Sequence, residues 1–487
     1  MWGKVIRTIL YLKPSQIRYQ VRHRLIKPGY VVLKAPDTAI PQLKTAPISK
    51  PCCVAGDTFT FLNREHRFAG WGWTEYGMLW AYNQNYFDWI NQDGITPDEC
   101  CTWIDRFVDD LQGNRVGLDP YPIALRSINW IKFFCRYPDC ATRQRLDSLY
   151  SQISLLELKL EYHLQGNHLL EDAYALYIGA RFFADNRLLD KARKLLRDQL
   201  QEQILPDGAH YEQSPMYHCI LLDRLLDCIN MAGETESWMV TAAERMLGHL
   251  ESVIWSDGTI PLLNDSAYGI APAPEEIFDY ARCLGLQWSA IPMKECGYRR
   301  FKDGAIEAIM DIGKITAAYQ PGHTHADIFS YELRIDGKPV VVDTGISTYD
   351  KNGRRQYERS TAAHNTVSAD NRDSIEVWGG FRVGRRASVY DISEDGCSIK
   401  ATHNGFGKPC TREFLIKEGA FTVTDCYDGD AVSYIHLAEG ADAERITVEG
   451  AVKTDIKPCK YSTAYNRFHD GKVMEIHFKG KVRYTIQ

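Results

Sequence analysis

The apolar residues of this chain change their spacing once, and this change restricts the fold more than any other feature. From about residue 100 to 290 they recur at helical spacing, as they do between 188 and 204. After residue 298 they alternate with polar residues, as they do from 329 to 335, which is typical of half-buried strands. Helices followed by strands predict an α+β chain of two domains. We assign residues 1–297 to the helical domain and residues 298–487 to the strand domain.

The size and the charge of the chain agree with two domains and argue against one class of partner. A length of 487 residues is too great for one ordinary hydrophobic core. With 45% hydrophobic and 25% charged residues, the composition is that of a globular protein. The net charge is −6, whereas a nucleic-acid-binding domain is strongly basic, so we expect no nucleic-acid partner.

The first residues are basic and aromatic, and they predict an amphipathic helix. Their longest uncharged run, from Thr8 to Leu12, lies between Arg7 and Lys13. This run is too short for a signal peptide or a membrane span. We therefore expect no transmembrane segment and a cytoplasmic location, with the periplasm as the alternative. A peripheral contact with a membrane is the alternative to a plain amphipathic helix.

The stretch DGAHYEQSPMYH, residues 207–218, predicts the start of a helix. Ser214 is a preferred N-cap residue and Pro215 suits the first helical position, so Tyr217 falls in the first turn. The positive end of the helix dipole would make the phenol of Tyr217 a better acid. The alternative is a core tyrosine whose hydroxyl has an ordinary partner.

A second helix start follows Gly166 in the stretch GNHLLE. Asn167 and His168 lie in its first turn, and Glu171 is three residues beyond His168, hence on the same face. A buried carboxylate in that position would orient the imidazole and fix its tautomer. The alternative is that Asn167 is a plain N-cap and Glu171 compensates the helix dipole.

The stretch HTHADIFSYELRIDGKPVVVDTG, residues 323–345, joins a predicted hairpin to residue types that bind metals. Asp336-Gly337 is a two-residue turn signal. His325, Asp343 and the later His364 together make a donor set suited to zinc, unless their proximity is a matter of chance. With so short a turn, Asp343 would face Ser330, so the chain before the hairpin must curl back to bring His325 to Asp343.

Six of the seven arginines from residue 354 to residue 386 form a basic cluster within an acidic chain. Such a cluster suits an anionic substrate, or it is a solvated face. We expect Arg359 and Tyr349 from this part of the chain to contact substrate. The cluster consists of Arg354, Arg355, Arg359, Arg382, Arg385 and Arg386.

Six stretches in the same order resemble the heparinase II/III-type polysaccharide lyases, a family related to certain alginate lyases. They are YPIALRSINWIKFF from Tyr121, GNHLLE, DGAHYEQSPMYH, HTHADIFSYELRIDGKPVVVDTG, RSTAAHNTV and WGGFRVGRRA. The resemblance implies an N-terminal (α/α) toroid, a C-terminal antiparallel β-sandwich and a cleft between them. It also implies cleavage of uronic-acid polysaccharides by β-elimination.

The resemblance gives each of the marked residues a role. Asn167 and His168 would hold the uronate carboxylate, with Glu171 behind the histidine. Tyr217 would give a proton to the leaving oxygen, and His323 would be a second catalytic residue. A second catalytic tyrosine of the alginate-cleaving branch has two candidates here, Tyr349 and Tyr357. The implied ligands of one structural zinc ion are His325, Asp343 and His364.

These observations predict a zinc-containing polysaccharide lyase that acts on an acidic polysaccharide or oligosaccharide. Because no export signal is seen, a role in capsule or exopolysaccharide metabolism is one expectation. The first alternative is a glycan-binding protein without activity on the same fold. The second is an (α/α)-toroid glycoside hydrolase, which needs two facing carboxylates. Asp207, Glu171 and Glu212 are available for that role.

Overall fold

The first half of the chain is helical, as its apolar spacing predicts. The structure is a computed structural model, and it describes residues 2–51, 53–233 and 236–487. Helix α7 packs against α5, α8 and α9, and almost all of its residues are buried. The helices are α1 Trp2–Ile9, α2 Pro14–Leu25, α3 Met78–Tyr86, α4 Pro97–Asp110, α5 Pro120–Arg136, α6 Arg143–Lys159, α7 Gly166–Phe182, α8 Asn186–Gln203, α9 Pro215–Met231, α10 Ser237–Val253, α11 Pro274–Cys283 and α12 Gly353–Glu358.

The second half is built from antiparallel strands. The first three strands form a small sheet of their own within the helical half, and β9 pairs with β10. The strands are β1 Val54–Ala55, β2 Thr58–Phe61, β3 Arg64–Arg67, β4 Tyr298–Asp303, β5 Ile306–Asp311, β6 Tyr331–Ile335, β7 Lys338–Val341, β8 Val367–Ala369, β9 Val377–Trp378, β10 Arg382–Val383, β11 Val389–Glu394, β12 Ser398–His403, β13 Cys410–Lys417, β14 Ala420–Leu437, β15 Ile446–Ala464 and β16 Arg467–Ile486.

The large sheet has the order β11-β12-β13-β14-β7-β6-β5-β4, and β14 pairs in addition with β8 and β16. Along β13 buried residues alternate with half-buried ones, as expected for a strand with one face on a core. The α+β fold class is confirmed. The last helix before the large sheet ends at Cys283 and its first strand begins at Tyr298, while the domain boundary near residue 298 stays a prediction.

The predicted hairpin is confirmed, but its polar face is not open to solvent. Ile335 pairs with Lys338 across a two-residue turn. A β-bulge after Leu333 shifts the register by one residue, so the simple count that set Asp343 opposite a serine does not hold. Glu332 and Arg334 are buried because they face the helical half: Glu332 accepts the Leu262 N–H at 2.6 Å.

No helix in the described ranges is both long enough and apolar enough to cross a bilayer.

Candidate active site

The first turn of α9 carries Tyr217 and is fixed at two points. Ser214 is the N-cap, as predicted, and its Oγ accepts the backbone N–H of Tyr217 at 3.2 Å. The same Oγ donates to the carbonyl of Asp265 at 2.7 Å. Pro215 at the first helical position needs no hydrogen-bond acceptor. Tyr217 is thereby tied to the loop that contains Asp265.

His323 of the strand half lies against Tyr217 of the helical half. Their ring centroids are 4.0 Å apart. His323 Nδ1 is 2.8 Å from Asp265 Oδ2, and its Nε2 is 3.2 Å from Asn167 Nδ2. An ionised carboxylate can only accept, so Nδ1 carries the proton and Nε2 presents its electron pair to the Asn167 amide. The arrangement suits a histidine that takes up a proton at Nε2.

Asp265, which no sequence pattern marked, is the buried centre of the charged network. It accepts hydrogen bonds from His323, from His325 Nε2 at 2.7 Å and from Arg355 Nη2 at 2.7 Å. Burial alone would raise its pKa, but the Arg355 guanidinium and the two imidazoles hold that pKa well below its usual range. Asp265 lies in an irregular loop, where no periodicity marks it.

Asn167 is held by Glu212, a second residue whose role was not predicted. Glu212 accepts the Asn167 backbone N–H at 3.0 Å and its Nδ2 at 2.8 Å. Gly166 has φ +61°, and a Cβ there would lie 2.0 Å from Glu212 Oε1, so only glycine fits. The contact explains why Gly-Asn begins this helix.

His168 pairs with Glu161 and not with Glu171, which corrects the expectation. His168 Nδ1 is 2.9 Å from Glu161 Oε2, and 31% of its side chain is exposed. Side chains in a first turn lean towards the helix N-terminus, so the ring reaches back to the preceding segment. Burial would lower the pKa of His168, but the Glu161 carboxylate outweighs it and raises that pKa.

Glu171 lies deeper in the helical core. It is fully buried, and neither of its carboxylate oxygens has a hydrogen-bond partner within the described ranges. Arg224 Nε is 3.9 Å from Glu171 Oε2. Burial raises the pKa of Glu171 to about 7 despite the attraction of Arg224. Glu171 is therefore part of the core beneath the site.

The environment of Tyr217 also corrects an expectation. Burial raises the pKa of the Tyr217 phenol, although a hydrogen bond donated by Tyr349 acts in the opposite direction. The two hydroxyl oxygens are 3.4 Å apart, whereas Tyr357 lies beside Arg354. Of the two candidate tyrosines, Tyr349 is the one at the site. A pocket of about 90 Å³ opens there, and its lining includes Lys50, Tyr86, Tyr121, Tyr217, Arg224, Tyr349 and Tyr465.

Three of the six arginines of the predicted basic cluster are engaged within the protein. Arg359 is only 1% exposed, and its guanidinium donates to the carbonyl of Thr324 at 2.8 Å. It thus supports the loop between His323 and His325 and does not reach substrate. Of the others, Arg355 is buried on Asp265 and Arg354 pairs with Glu358 at 2.7 Å, so these charges are compensated within the protein.

Two of the three predicted zinc ligands meet. His364 Nδ1 is 2.7 Å from Asp343 Oδ2, and the rings of His364 and His325 have centroids 5.2 Å apart. All three residues are buried, and in the described ranges His325 Nδ1 and His364 Nε2 have no hydrogen-bond partner. Buried polar atoms without partners are costly, so these two nitrogens fit a metal ligand set.

Another buried group could also hold a metal. Among the described residues, Asp207, His249 and Cys296 bring their donor atoms within 4.8 Å of one another, and so do the half-buried Asp455, Glu475 and His477. The predicted trio is not among the groups that converge this closely. Asp207, however, already accepts the backbone N–H groups of Lys294 and Cys296 at 3.0 and 2.9 Å.

Comparison with known proteins gives matches in both halves of the chain. Residues 144–276 match the family model described as heparinase II/III N-terminus, and residues 287–480 match heparinase II/III-like, C-terminal. A heparin-sulfate lyase of Pedobacter heparinus is 26% identical over 340 residues, which cover 62% of this chain and 49% of that protein. One of Bacteroides stercoris is 21% identical over 365 residues, covering 65% and 53%. The chain thus spans about half the length of these curated relatives.

Solved structures share the fold. A crystal structure of heparinase III has a TM-score of 0.65 at 15% identity and covers 85% of this chain and 78% of its own. A heparan sulfate lyase from Pedobacter heparinus has a TM-score of 0.52 at 16% identity, covering 88% and 81%.

Proposed function

The chain belongs to the heparinase II/III-like family, and from this premise we propose that it is a polysaccharide lyase. Its substrate would be a uronic-acid-containing polysaccharide, cleaved by β-elimination. One observation carries the proposal: Tyr217 and His323 lie ring against ring, with an Asp265 carboxylate on the far nitrogen of the histidine.

The reaction moves one proton off carbon and one onto oxygen. The C5–H bond of the uronate breaks, a double bond forms between C4 and C5, and the C4–O bond breaks. The departing oxygen takes a proton, and no water is consumed. The proton on C5 is weakly acidic, so the negative charge that develops on the uronate must be stabilised by donors.

His323 and Tyr217 are proposed as base and acid. The Asp265 carboxylate on Nδ1 leaves His323 Nε2 as the nitrogen that takes the C5 proton. The raised pKa of Tyr217 keeps its proton in place at neutral pH, so the phenol can give it to the leaving oxygen. Tyr349, which donates to the Tyr217 oxygen, would orient the phenol.

The uronate carboxylate is assigned to Asn167 and His168. His168 is partly exposed, and Glu161 favours its cationic form, so it offers a positive donor to an anion. Asn167 lies beside His323 and is fixed by Glu212. This pair supports an acidic substrate better than the arginines do, because two of those charges are already compensated by Asp265 and Glu358.

One structural zinc ion is proposed at His325, Asp343 and His364. The unpartnered nitrogens of the two histidines support this assignment. When bound, the ion would cross-link the loop that carries His323 to the end of the hairpin. The alternative ligand set is Asp207, His249 and Cys296.

A glycoside hydrolase is the second candidate, and the environments of its possible carboxylates speak against it. Asp207 accepts backbone N–H groups, Glu171 is fully buried, and Glu212 is bound to Asn167. The two catalytic carboxylates of a glycoside hydrolase flank the scissile bond and one of them activates a water molecule, so both must be accessible from the cleft. A binding protein without activity remains the third candidate, and product formation separates it from the first two.

The names of the curated relatives support a choice of substrate to test. Both carry the name heparin-sulfate lyase, so a glycosaminoglycan of the heparan sulfate type is the first substrate to test. Bacterial capsule and exopolysaccharide glycans are the next, in keeping with the predicted cytoplasmic location.

The test is ultraviolet absorbance during incubation with a panel of uronic-acid polysaccharides, because elimination creates an absorbing unsaturated uronate. Wild type is expected to give a rise on at least one glycan, and Tyr217→Phe is expected to lower the rate at least about a hundredfold. Tyr177→Phe is the matched control, since it removes a phenol that bonds Glu236 away from the cleft. No rise on any glycan would overturn the proposal, and equal loss in both variants would overturn the role of Tyr217.

A further inference from the structure

Residues 2–36, here called the arm, differ in charge from the rest of the chain. The arm contains α1, α2 and the extended segment after them. It has eight lysines and arginines and no aspartate or glutamate, in a chain whose net charge is −6. A segment with this imbalance attracts anionic surfaces.

Helix α2 lies on the protein through polar and aromatic groups. In α2, Gln16 is buried and its Nε2 donates to the carbonyls of Leu164 and Tyr319, both at 3.3 Å. The rings of His23 and His163 stack with their centroids 4.3 Å apart. These side chains define the inner face of α2, and it contains no buried apolar residue.

The apolar residues of α2 form a stripe on its outer face. Ile17, Val21 and Leu25 follow one another at intervals of four residues, so they lie along one side of the helix. They are 44, 54 and 78% exposed. An ordinary surface helix has the opposite orientation, with its apolar face towards the core.

Helix α1 repeats this arrangement. Trp2, Ile6 and Ile9 share one side of the helix and are 79, 57 and 46% exposed. On another side, Arg7 donates through Nη2 to Glu376 at 2.7 Å, and Thr8 donates to the Val383 carbonyl. Both helices are thus held to the body by polar groups and turn an apolar stripe outward.

Arginines border the stripe of α2 on both sides. By helical geometry, Arg18 and Arg22 lie on one side of it and Arg24 on the other. All three are exposed, and none has an acidic partner within the described part of the chain. We propose that the arm binds the surface of an anionic lipid bilayer, with its apolar stripes in the acyl boundary and its arginines at the headgroups.

Other occupants fit these observations less well. A polysaccharide would engage the arginines but would leave the aliphatic stripes in water. A second copy of the chain would bring two arms of the same sign together, and like charges repel. An anionic bilayer satisfies the stripes and the charges at once.

The experiment is vesicle flotation with the full chain. One set of vesicles is phosphatidylcholine alone, and the other contains one third phosphatidylglycerol. We expect flotation with the anionic vesicles and little with the neutral ones, weakening as salt is raised. The variant Ile17→Ser/Val21→Ser/Leu25→Ser should lose at least about tenfold in binding, because three apolar side chains no longer enter the boundary.

Two further variants test whether vesicle binding depends on the arm. Val452→Ser/Ile456→Ser/Phe468→Ser removes three exposed apolar side chains from the β15–β16 ribbon and should bind like wild type. Arg18→Gln should bind about fivefold more weakly.

Three results would overturn the proposal. The first is that the wild-type chain does not float with anionic vesicles. The second is that the α2 stripe variant and the ribbon variant lose vesicle binding equally. The third is that the wild-type chain binds no vesicles but associates with itself, and that the stripe variant abolishes this self-association.

Discussion

At the scale of single residues, the partner of His168 is the clearest difference between sequence and structure. Spacing on the helix favours Glu171, whereas the structure pairs His168 with Glu161 from the segment before the helix. Spacing within a helix cannot reveal a partner outside it. Asp265, and the role of Glu212 at Asn167, were missed for the same reason, since both act through contacts between distant segments. Tyr217, Asn167 and His323 could be found because each lies in a stretch with a recognisable pattern.

The pairing of His168 with Glu161 can be tested by the pH dependence of kcat/KM. Glu161 raises the pKa of His168, so Glu161→Gln should lower that pKa and remove the cation at a lower pH. The alkaline limb of kcat/KM should therefore move to lower pH, while Glu171→Gln should move it less. Because the folded pKa is raised, the pair stabilises the fold at low pH and loses this contribution as pH rises through that pKa. If Glu171→Gln moved the alkaline limb further than Glu161→Gln, the result would favour Glu171 as the partner of His168, as the sequence predicted.

At the scale of elements, the caps and the hairpin were predictable and the packing faces were not. Ser-Pro marked the start of α9, and Asp-Gly marked the turn between β6 and β7. The polar residues of β6 suggested a solvated face, yet Glu332 and Arg334 are buried against the helical half. A charged residue at a domain junction has the same pattern in sequence as one in water.

The cap of α9 serves both stability and position. Ser214→Ala should lower the free energy of unfolding by about 1 kcal/mol and also lower kcat, because Ser214 holds the first turn that carries Tyr217. Thr96→Ala is the matched control: Thr96 caps α4 away from the site, so it should cost similar stability with unchanged kcat. Denaturant unfolding and initial rates measure the two effects. Equal kcat in both variants would contradict the positioning role.

The proposed zinc site beside the loop that carries His323 can be tested by measuring the metal content of the protein. Zinc measured by atomic emission should be near one ion per chain in wild type and lost in His364→Ala. Cys296→Ser should keep it, since that residue belongs to the other group of donors. Retention in His364→Ala with loss in Cys296→Ser would move the ion to Asp207, His249 and Cys296.

At the scale of the whole molecule, the site exists only where the two halves meet. Tyr217 and Asn167 come from helices, His323 and Arg355 come from the strand half, and Asp265 joins them. The order of helices and strands predicted the two halves, and the six stretches predicted the family. Neither predicted which loop would join them, because the junction depends on tertiary contacts with no local signal. The proposed chemistry therefore needs both halves docked.

The most direct test of elimination is the mass of the products from a defined oligosaccharide of the substrate class found. Elimination predicts two fragments whose masses sum to that of the substrate, with the fragment that carries the new double bond at its non-reducing end lighter by one water than its hydrolytic counterpart. We expect this sum for the wild-type protein. Fragments whose summed mass exceeds the substrate by one water would show hydrolysis and contradict the roles proposed for Tyr217 and His323.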